Sequence, residues 1–212
     1  MASADPTAAS YDRVAAEYTA NIADELAGKP LDRALLLAFA EQAGAVGPIC
    51  DMGCGPGHVA AFLASAGAQA EGVDLSPGMV DQARQRFPSI PFRQGDMRSP
   101  DLADASLGGI AAFYSIIHLA PEDLLPTFAT WHRALRPGGL ALVAFHIGAD
   151  VLHLDRWWEQ PVDLDFHFLA MEDVAERLRQ AGFSIAATIQ RAPYAGVEHP
   201  SQRGYVLARR DA

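Results

Sequence analysis

Pro48-Ile49-Cys50-Asp51-Met52-Gly53-Cys54-Gly55-Pro56-Gly57 decides the fold. A short apolar run, the pattern of a buried strand, enters three glycines at alternate positions. An Ala-rich helical stretch, His58 to Ser65, starts directly after them. Glycine has no Cβ, so glycines this close together let the backbone turn tightly and approach a ligand. The free N–H groups that begin the following helix point at the same place. Strand, glycine turn and helix in this order open a doubly wound α/β sheet, where ligands sit outside the carboxyl ends of the strands. The dinucleotide fingerprint spaces its glycines G-x-G-x-x-G. Here the spacing is G-x-G-x-G, and His58 stands where that fingerprint needs its third glycine.

On the N-terminal side, Pro6 to Ala27 carries Tyr11, Val14, Ala15, Tyr18 and Ile22 at helical period. Gly28-Lys29-Pro30 interrupts it, and Leu31 to Ala43 predicts a second helix. On the C-terminal side strands and helices alternate. Gln69 to Val73 predicts a strand ending at Asp74, and Pro77 to Phe87 a helix with Ser76 as its N-cap. Pro91 to Gly95 and Gly109 to Tyr114 predict two further strands. Pro121 to Leu135 predicts a helix closed by Arg136-Pro137-Gly138-Gly139, Leu140 to Phe145 an apolar strand, and Met171 to Ala181 a last helix. Such alternation implies a parallel sheet wrapped on both faces. Phe183 to Gln190 and Gly204 to Ala208 have no helical pattern between them, so these two strands are expected to pair antiparallel. Residues 148–170 show no regular pattern but hold Trp157, Trp158, Phe166 and Phe168. The stretch is too long and too aromatic for an ordinary connection. It is read as a cap insertion over a substrate, the alternative being a locally packed Ω-loop. Residues 1–44 are read as a helical lid, and residues 1–212 as a single domain.

The formal net charge of -10 argues against a nucleic-acid substrate and an anionic membrane surface, because both are held by clustered basic residues. The only cysteines, Cys50 and Cys54, are four apart and suit neither a disulfide framework nor the usual zinc spacing. No run approaches the roughly 18 apolar residues of a membrane helix, and the N-terminus lacks the pattern of a signal peptide. A cytoplasmic protein is the expectation.

The residues just after each strand carry the chemistry. Asp74, 23 positions after Asp51, can accept hydrogen bonds from both hydroxyls of a ribose. Asp96, after the third strand, can take an adenine amino group, with Leu75 and Met97 covering the ring faces. A Gly-Asp after a strand is alone an ordinary turn; as third in a series it becomes informative. Together Asp51-Met-Gly-Cys-Gly-Pro-Gly57, Gly72-Val-Asp-Leu-Ser76, Gln94-Gly-Asp-Met97 and Leu135-Arg-Pro-Gly-Gly139 resemble the ordered motifs of class I methyltransferases dependent on S-adenosylmethionine (SAM). The opening helix, Tyr11-Asp-Arg-Val-Ala-Ala-Glu-Tyr18, resembles the branch that methylates small molecules. The resemblance implies a Rossmann-like seven-stranded sheet of order 3-2-1-4-5-7-6 with strand 7 antiparallel, N-terminal helices and a small lid insertion. It implies SAM as cofactor, with Asp51, Gly53, Cys54, Gly55 and Gly57 at the methionine part, Asp74 at the ribose, and Leu75, Asp96 and Met97 at the adenine. Met79, Tyr114 and Ser115 join that site, and Tyr11 and Tyr18, seven apart on one helical face, close over it.

Methyl transfer from a sulfonium is an in-line displacement that needs alignment and exclusion of water. A base is required only where the acceptor must lose a proton. His118, after the fourth strand, and His146, ending the fifth, are the candidates. Trp157, Trp158, His167 and Arg203 are candidates to line a small-molecule acceptor site, with Glu198 near Arg203, while His132 is read as structural. No carboxylate cluster calls for a metal. O-, N- and C-methylation are all compatible. The competing readings are an NAD(P)-dependent oxidoreductase on a similar sheet and a SAM-binding protein without catalysis. The oligomeric state is left open.

Overall fold

The strand that leads into the glycine turn, β1 (Ile49–Met52), is buried at every residue, as a central parallel strand must be. A computed structural model describes residues 5–211 of the chain. Positions 1–4 and 212, which belong to the expected lid and domain spans, lie outside the described residues. After β1 come α3 (His58–Ser65), β2 (Ala70–Asp74), α4 (Pro77–Arg86), β3 (Phe92–Gln94), β4 (Leu107–Phe113), α5 (Pro121–Ala134) and β5 (Leu135–Ile147). Two helices precede β1: α1 (Pro6–Ile22) and α2 (Pro30–Gly44). Beyond β5 lie β6 (Val151–Trp157), β7 (Gln160–His167), α6 (Met171–Gln180), β8 (Phe183–Arg191) and β9 (Gln202–Arg210).

Seven strands form one sheet in the order β3-β2-β1-β4-β5-β9-β8. With the β6–β7 pair set apart, this is the expected order 3-2-1-4-5-7-6. β1 pairs in parallel with β2 and β4, and β4 with β5. β9 runs antiparallel between β5 and β8. The centre of the sheet is apolar on both faces: Leu140 to Phe145 are all buried. One face packs on α5 and α6 through Phe128, Trp131, Val174 and Leu178. The other packs on α2 and α3 through Leu36, Phe39, Val59 and Leu63. Each of these side chains contributes roughly 1.5–3 kcal/mol by leaving water.

Three differences from the sequence reading matter for the site. The first helix stops at Ile22, and the chain makes a separate 3-10 turn, Glu25–Gly28, before α2. This break brings Glu25 and Lys29 back under α1. The stretch 148–170 is not irregular: β6 and β7 form an antiparallel hairpin. Along β7, Val162 and Leu164 are buried and alternate with Asp163 and Asp165, so the hairpin lays an apolar face on Val14, Tyr11 and Tyr18 of α1. Third, the Arg136-Pro137-Gly138-Gly139 turn lies inside β5 as an irregularity of its pairing with β4.

Candidate active site

Two cavities adjoin above the carboxyl ends of the strands, and Tyr11, Tyr18 and Tyr114 line both. The first, about 210 Å³, sits over β1, β2, β3 and β4 and is roofed by the start of α1, from Asp5 to Ala8. Its floor is the glycine turn. Gly53 has φ +72°, and a Cβ there would lie 2.4 Å from Ser115 Cβ and 3.1 Å from Met97 Cε. Only glycine fits, and the backbone is thereby open to a ligand. Asp74 accepts from Gly55 N–H (2.7 Å) and Ser76 N–H (2.9 Å), which ties the turn to β2. Burial raises the Asp74 carboxyl to about 6 despite these bonds. Leu75, Met79, Asp96, Met97 and Ser115 also line this cavity. Asp96 accepts from Arg98 Nε at 2.9 and 3.0 Å. Burial would raise its carboxyl, but the Arg98 bonds hold it below its ordinary value. Ser115 Oγ donates to Met52 O at 2.6 Å, joining the ends of β1 and β4.

The second cavity, about 450 Å³, lies between α1, the hairpin and the β8–β9 loop. Leu152, Leu154, Trp157, Phe166 and Phe168 form an apolar wall, and Lys29, Glu198 and Arg203 a charged floor. Tyr114 divides the two cavities. Its φ is +54°, a conformation that costs a residue with a Cβ roughly 1–3 kcal/mol and is found at functional sites. Its N–H donates to Ala144 O (2.8 Å), and its hydroxyl meets Asp32 Oδ1 (3.3 Å) and Tyr205 (3.1 Å). Lys29 Nζ lies 4.9 Å and the Arg203 guanidinium 5.5 Å from its ring centre. Asp32, fully buried, is paired with Arg191 at 2.7 Å, and Arg191 grips Glu198 through both nitrogens at 2.6 and 2.9 Å.

The two histidines expected as bases are both engaged. His118 lines the first cavity. Its Nδ1 lies 3.0 Å from Asp165 O, and a carbonyl only accepts, so the ring proton is on Nδ1. Nε2 then accepts from the Tyr11 hydroxyl at 2.7 Å. Burial pushes the ring down to about 4, so it is neutral at physiological pH. His146 lines the second cavity, stacked on Phe168 with ring centres 5.3 Å apart. Its Nδ1 faces Ser201 Oγ (2.7 Å) and Arg203 Nη1 (3.0 Å). Burial and then Arg203 lower it to about 3. Neither ring offers a free basic nitrogen on these contacts, because α1, β7, β9 and the β8–β9 loop supply the partners.

Other expected residues are also placed differently. Asp51 lies beneath the glycine turn, where Oδ2 accepts from Ala60 N–H at 3.1 Å; burial, with Asp74 nearby, raises it to about 8. Cys54 packs away from the cavity with Val80, Ala83 and Phe92. Gly57 (φ +83°) makes the turn into α3, and a Cβ there would lie 2.7 Å from Phe92. None of these three lines the first cavity. Trp158 stacks on Trp157 with ring centres 4.6 Å apart and meets Tyr18 edge-on, while Trp157 alone of the pair lines the second cavity. His167 lines neither cavity. Arg203 is 2 % exposed and borders the second one. Sequence reasoning missed Glu25, Lys29 and His199 at this cavity. Lys29 sits in a Gly-Lys-Pro break that reads as punctuation, and only the pairing Lys29–Glu25 at an i,i+4 spacing was there to be found.

A doubly wound sheet with a glycine-floored cavity at its switch point and a carboxylate after β2 defines an α/β domain for an adenosine-bearing ligand. The family described as a methyltransferase domain matches residues 49–139. A demethylmenaquinone methyltransferase of Chlorobaculum parvum is 36% identical over 96 residues, 45% of this chain and 39% of that one. A trans-aconitate 2-methyltransferase of Methylobacterium nodulans is 36% identical over 148 residues, 66% of this chain and 49% of that one. The crystal structure of a SAM-dependent methyltransferase from Methanosarcina mazei superposes with a TM-score of 0.70 at 15% identity, covering 77% of this chain and 92% of that one. Residues 49–139 thus match a methyltransferase domain, and the fold is that of a solved SAM-dependent methyltransferase. The chain spans about half, or less, of the length of the curated relatives it matches.

Proposed function

We propose that the chain transfers the methyl group of SAM to a small-molecule acceptor held in the second cavity. The observation that carries this reading is the pair of cavities meeting at Tyr11, Tyr18 and Tyr114. A donor over the glycine turn and an acceptor under the hairpin would face each other there. The residues fit SAM better than a dinucleotide. A pyrophosphate needs the start of α3, and there the chain has His58, whose Nε2 lies 3.3 Å from the Glu25 carboxylate. A carboxylate at that place repels phosphate.

SAM supplies a methyl group already activated on a sulfonium, so the protein has to align the partners and keep water out. Gly53 and Gly55 let the backbone approach, Asp74 accepts from the ribose hydroxyls, and Asp96, Leu75, Met79 and Met97 surround the adenine. Tyr11 and Tyr18 cover the junction, and Tyr114 and Ser115 border the reacting end. His118 acts as a fastener in this reading: it joins Tyr11 of α1 to Asp165 of the hairpin. His146, with Nδ1 occupied, holds its proton on Nε2 and serves as a donor to the acceptor molecule. Such a site suits an acceptor that arrives already nucleophilic.

Small acceptors rather than nucleic acid are supported by the net charge of -10. No helix among the described residues is long and apolar enough to cross a membrane. Cytoplasmic residence is part of the proposal, in keeping with two free, buried cysteines. Calorimetric titration with SAM, S-adenosylhomocysteine (SAH) and NADPH tests the reading. Binding of SAM and SAH with a silent NADPH titration is expected. NADPH binding with SAM silent overturns it.

A further inference from the structure

The charged groups around the second cavity are not equally spent. Besides its tyrosines, six charged or imidazole side chains border it: Lys29, Arg203, His146, His199, Glu25 and Glu198. Glu198 is saturated. Its two oxygens take Arg191 at 2.6 and 2.9 Å and Tyr194 N–H at 2.8 Å, with Lys29 at 3.6 Å and Arg203 at 3.5 Å beyond. Glu25 is occupied by Lys29 at 2.7 Å and His58 at 3.3 Å. Glu198 is therefore committed within the protein, and each oxygen of Glu25 already has one partner.

The donors are in surplus. Lys29 is 5 % exposed and has three N–H groups, but its one hydrogen bond goes to Glu25. Arg203 is 2 % exposed; Nη1 and Nη2 are used on Ser201, His146 and His199, and Nε, itself buried, makes no hydrogen bond, its nearest acceptor being Glu198 Oε1 at 3.5 Å. Buried cationic donors without a full set of partners are costly, and cations of this kind at a cavity wall favour a ligand that accepts from them. Both cations lie against the ring of Tyr114, at one end of the cavity. The opposite wall is the apolar hairpin face, with Leu154, Trp157 and Phe166.

We infer that the acceptor is an organic acid, its carboxylate anchored by Arg203 and Lys29 beside Tyr114 and its apolar or aromatic body lying against the hairpin. The inference rests on the reading of the second cavity as the acceptor site. A carboxylate supplies accepting lone pairs to the two cations, and with groups this buried a charge-assisted bond is the strong kind. A neutral amide of the same shape offers one accepting oxygen and adds donors where donors already abound.

The test uses the full chain saturated with SAH. Indole-3-acetate and 3-phenylpropanoate are titrated calorimetrically at pH 7, each against its primary amide. At least one acid is expected to bind about tenfold or more tighter than its amide, a difference the size of one charge-assisted hydrogen bond. In Lys29→Gln and in Arg203→Gln that ratio is expected to fall below about threefold while SAH affinity stays within about threefold of the parent. The wild-type ratio decides alone if a variant does not fold. Equal affinity for acid and amide, preference for the amide, or no binding of either acid to the SAH-loaded protein overturns the acid anchor and leaves the methyl-transfer reading in place. Failure of SAH itself to bind overturns the methyl-transfer reading, and the anchor with it.

Discussion

Asp51 sits 1 % exposed below the first turn of α3, with one donor, the Ala60 N–H, and Asp74 as its charged neighbour. Burial first, then Asp74, raises its carboxyl to about 8, against roughly 3.9 in an unfolded chain. Between those two values the folded chain holds a proton that the unfolded chain has lost. The stability this contributes is complete below about pH 4 and is lost as the pH rises through 8. Asp51→Asn keeps the accepting oxygen and cannot ionise. Its melting temperature, relative to the parent without ligand, is expected to climb between about pH 4 and 8 and level off above, by roughly 2–4 °C per kcal/mol. A difference independent of pH would show that Asp51 is not a buried acid. The same residue marks how far a sequence reaches at this scale. Glycine spacing, Asp74 and Asp96 are legible because position after a strand fixes which end of the sheet they occupy. Asp51, Cys54 and Gly57 share the loop but turn inward, and that depends on Phe92, Ala83 and Ala60 arriving from elsewhere in the chain.

The β6–β7 hairpin is the element the sequence concealed. Val162, Leu164 and Phe166 alternate with Asp163, Asp165 and His167, which is strand pattern, yet the turn between the strands lacks the Asn-Gly or Asp-Gly that announces a two-residue loop. Trp158 and Glu159 occupy it instead, at φ +45° and +63°, between the paired Trp157 and Gln160. The left-handed conformation costs a residue with a Cβ about 1–2 kcal/mol, and here two adjacent residues bear it. Stacking of Trp158 on Trp157 offsets part of that at the first position. Glu159 has little such return: its side chain is 96% exposed and meets Arg156 at 3.7 Å in a solvated surface pair. Glu159→Gly is therefore expected to raise the melting temperature by roughly 2–4 °C, read by differential scanning calorimetry. A lower melting temperature would contradict the left-handed turn. The helices and the seven sheet strands were legible because apolar period and glycine or proline breaks agree along them. The end of α1 at Ile22 was not, since the 3-10 turn after it is fixed by Lys29 contacts with Glu25 and Glu198 that no local pattern displays.

At the scale of the molecule, strand order was legible in advance because few topologies are open to alternating strands and helices, and because four motifs in order resemble one family. The chemistry of the second cavity was not, since it is assembled from α1, the 3-10 turn, β5, the hairpin and the β8–β9 loop, which are distant in sequence. Helix α1 links the two cavities. Its first residues roof the glycine-floored cavity, and its Tyr11, Tyr18 and Ile22 line the other. Ser10 fastens it to the hairpin, accepting from Asp163 N–H at 2.8 Å and donating to Asp163 O at 3.3 Å. A molecule resting under the hairpin thus presses on the same helix that closes over the other chamber. The consequence is temporal. On the proposed reading SAM enters before the acceptor and SAH leaves after the methylated product, so turnover is a queue with a fixed sequence. Steady-state rates are expected to show SAH competing with SAM alone, and the methylated product non-competitive toward SAM. Competition of each product only with its own parent substrate would mean that α1 lifts from one chamber without opening the other.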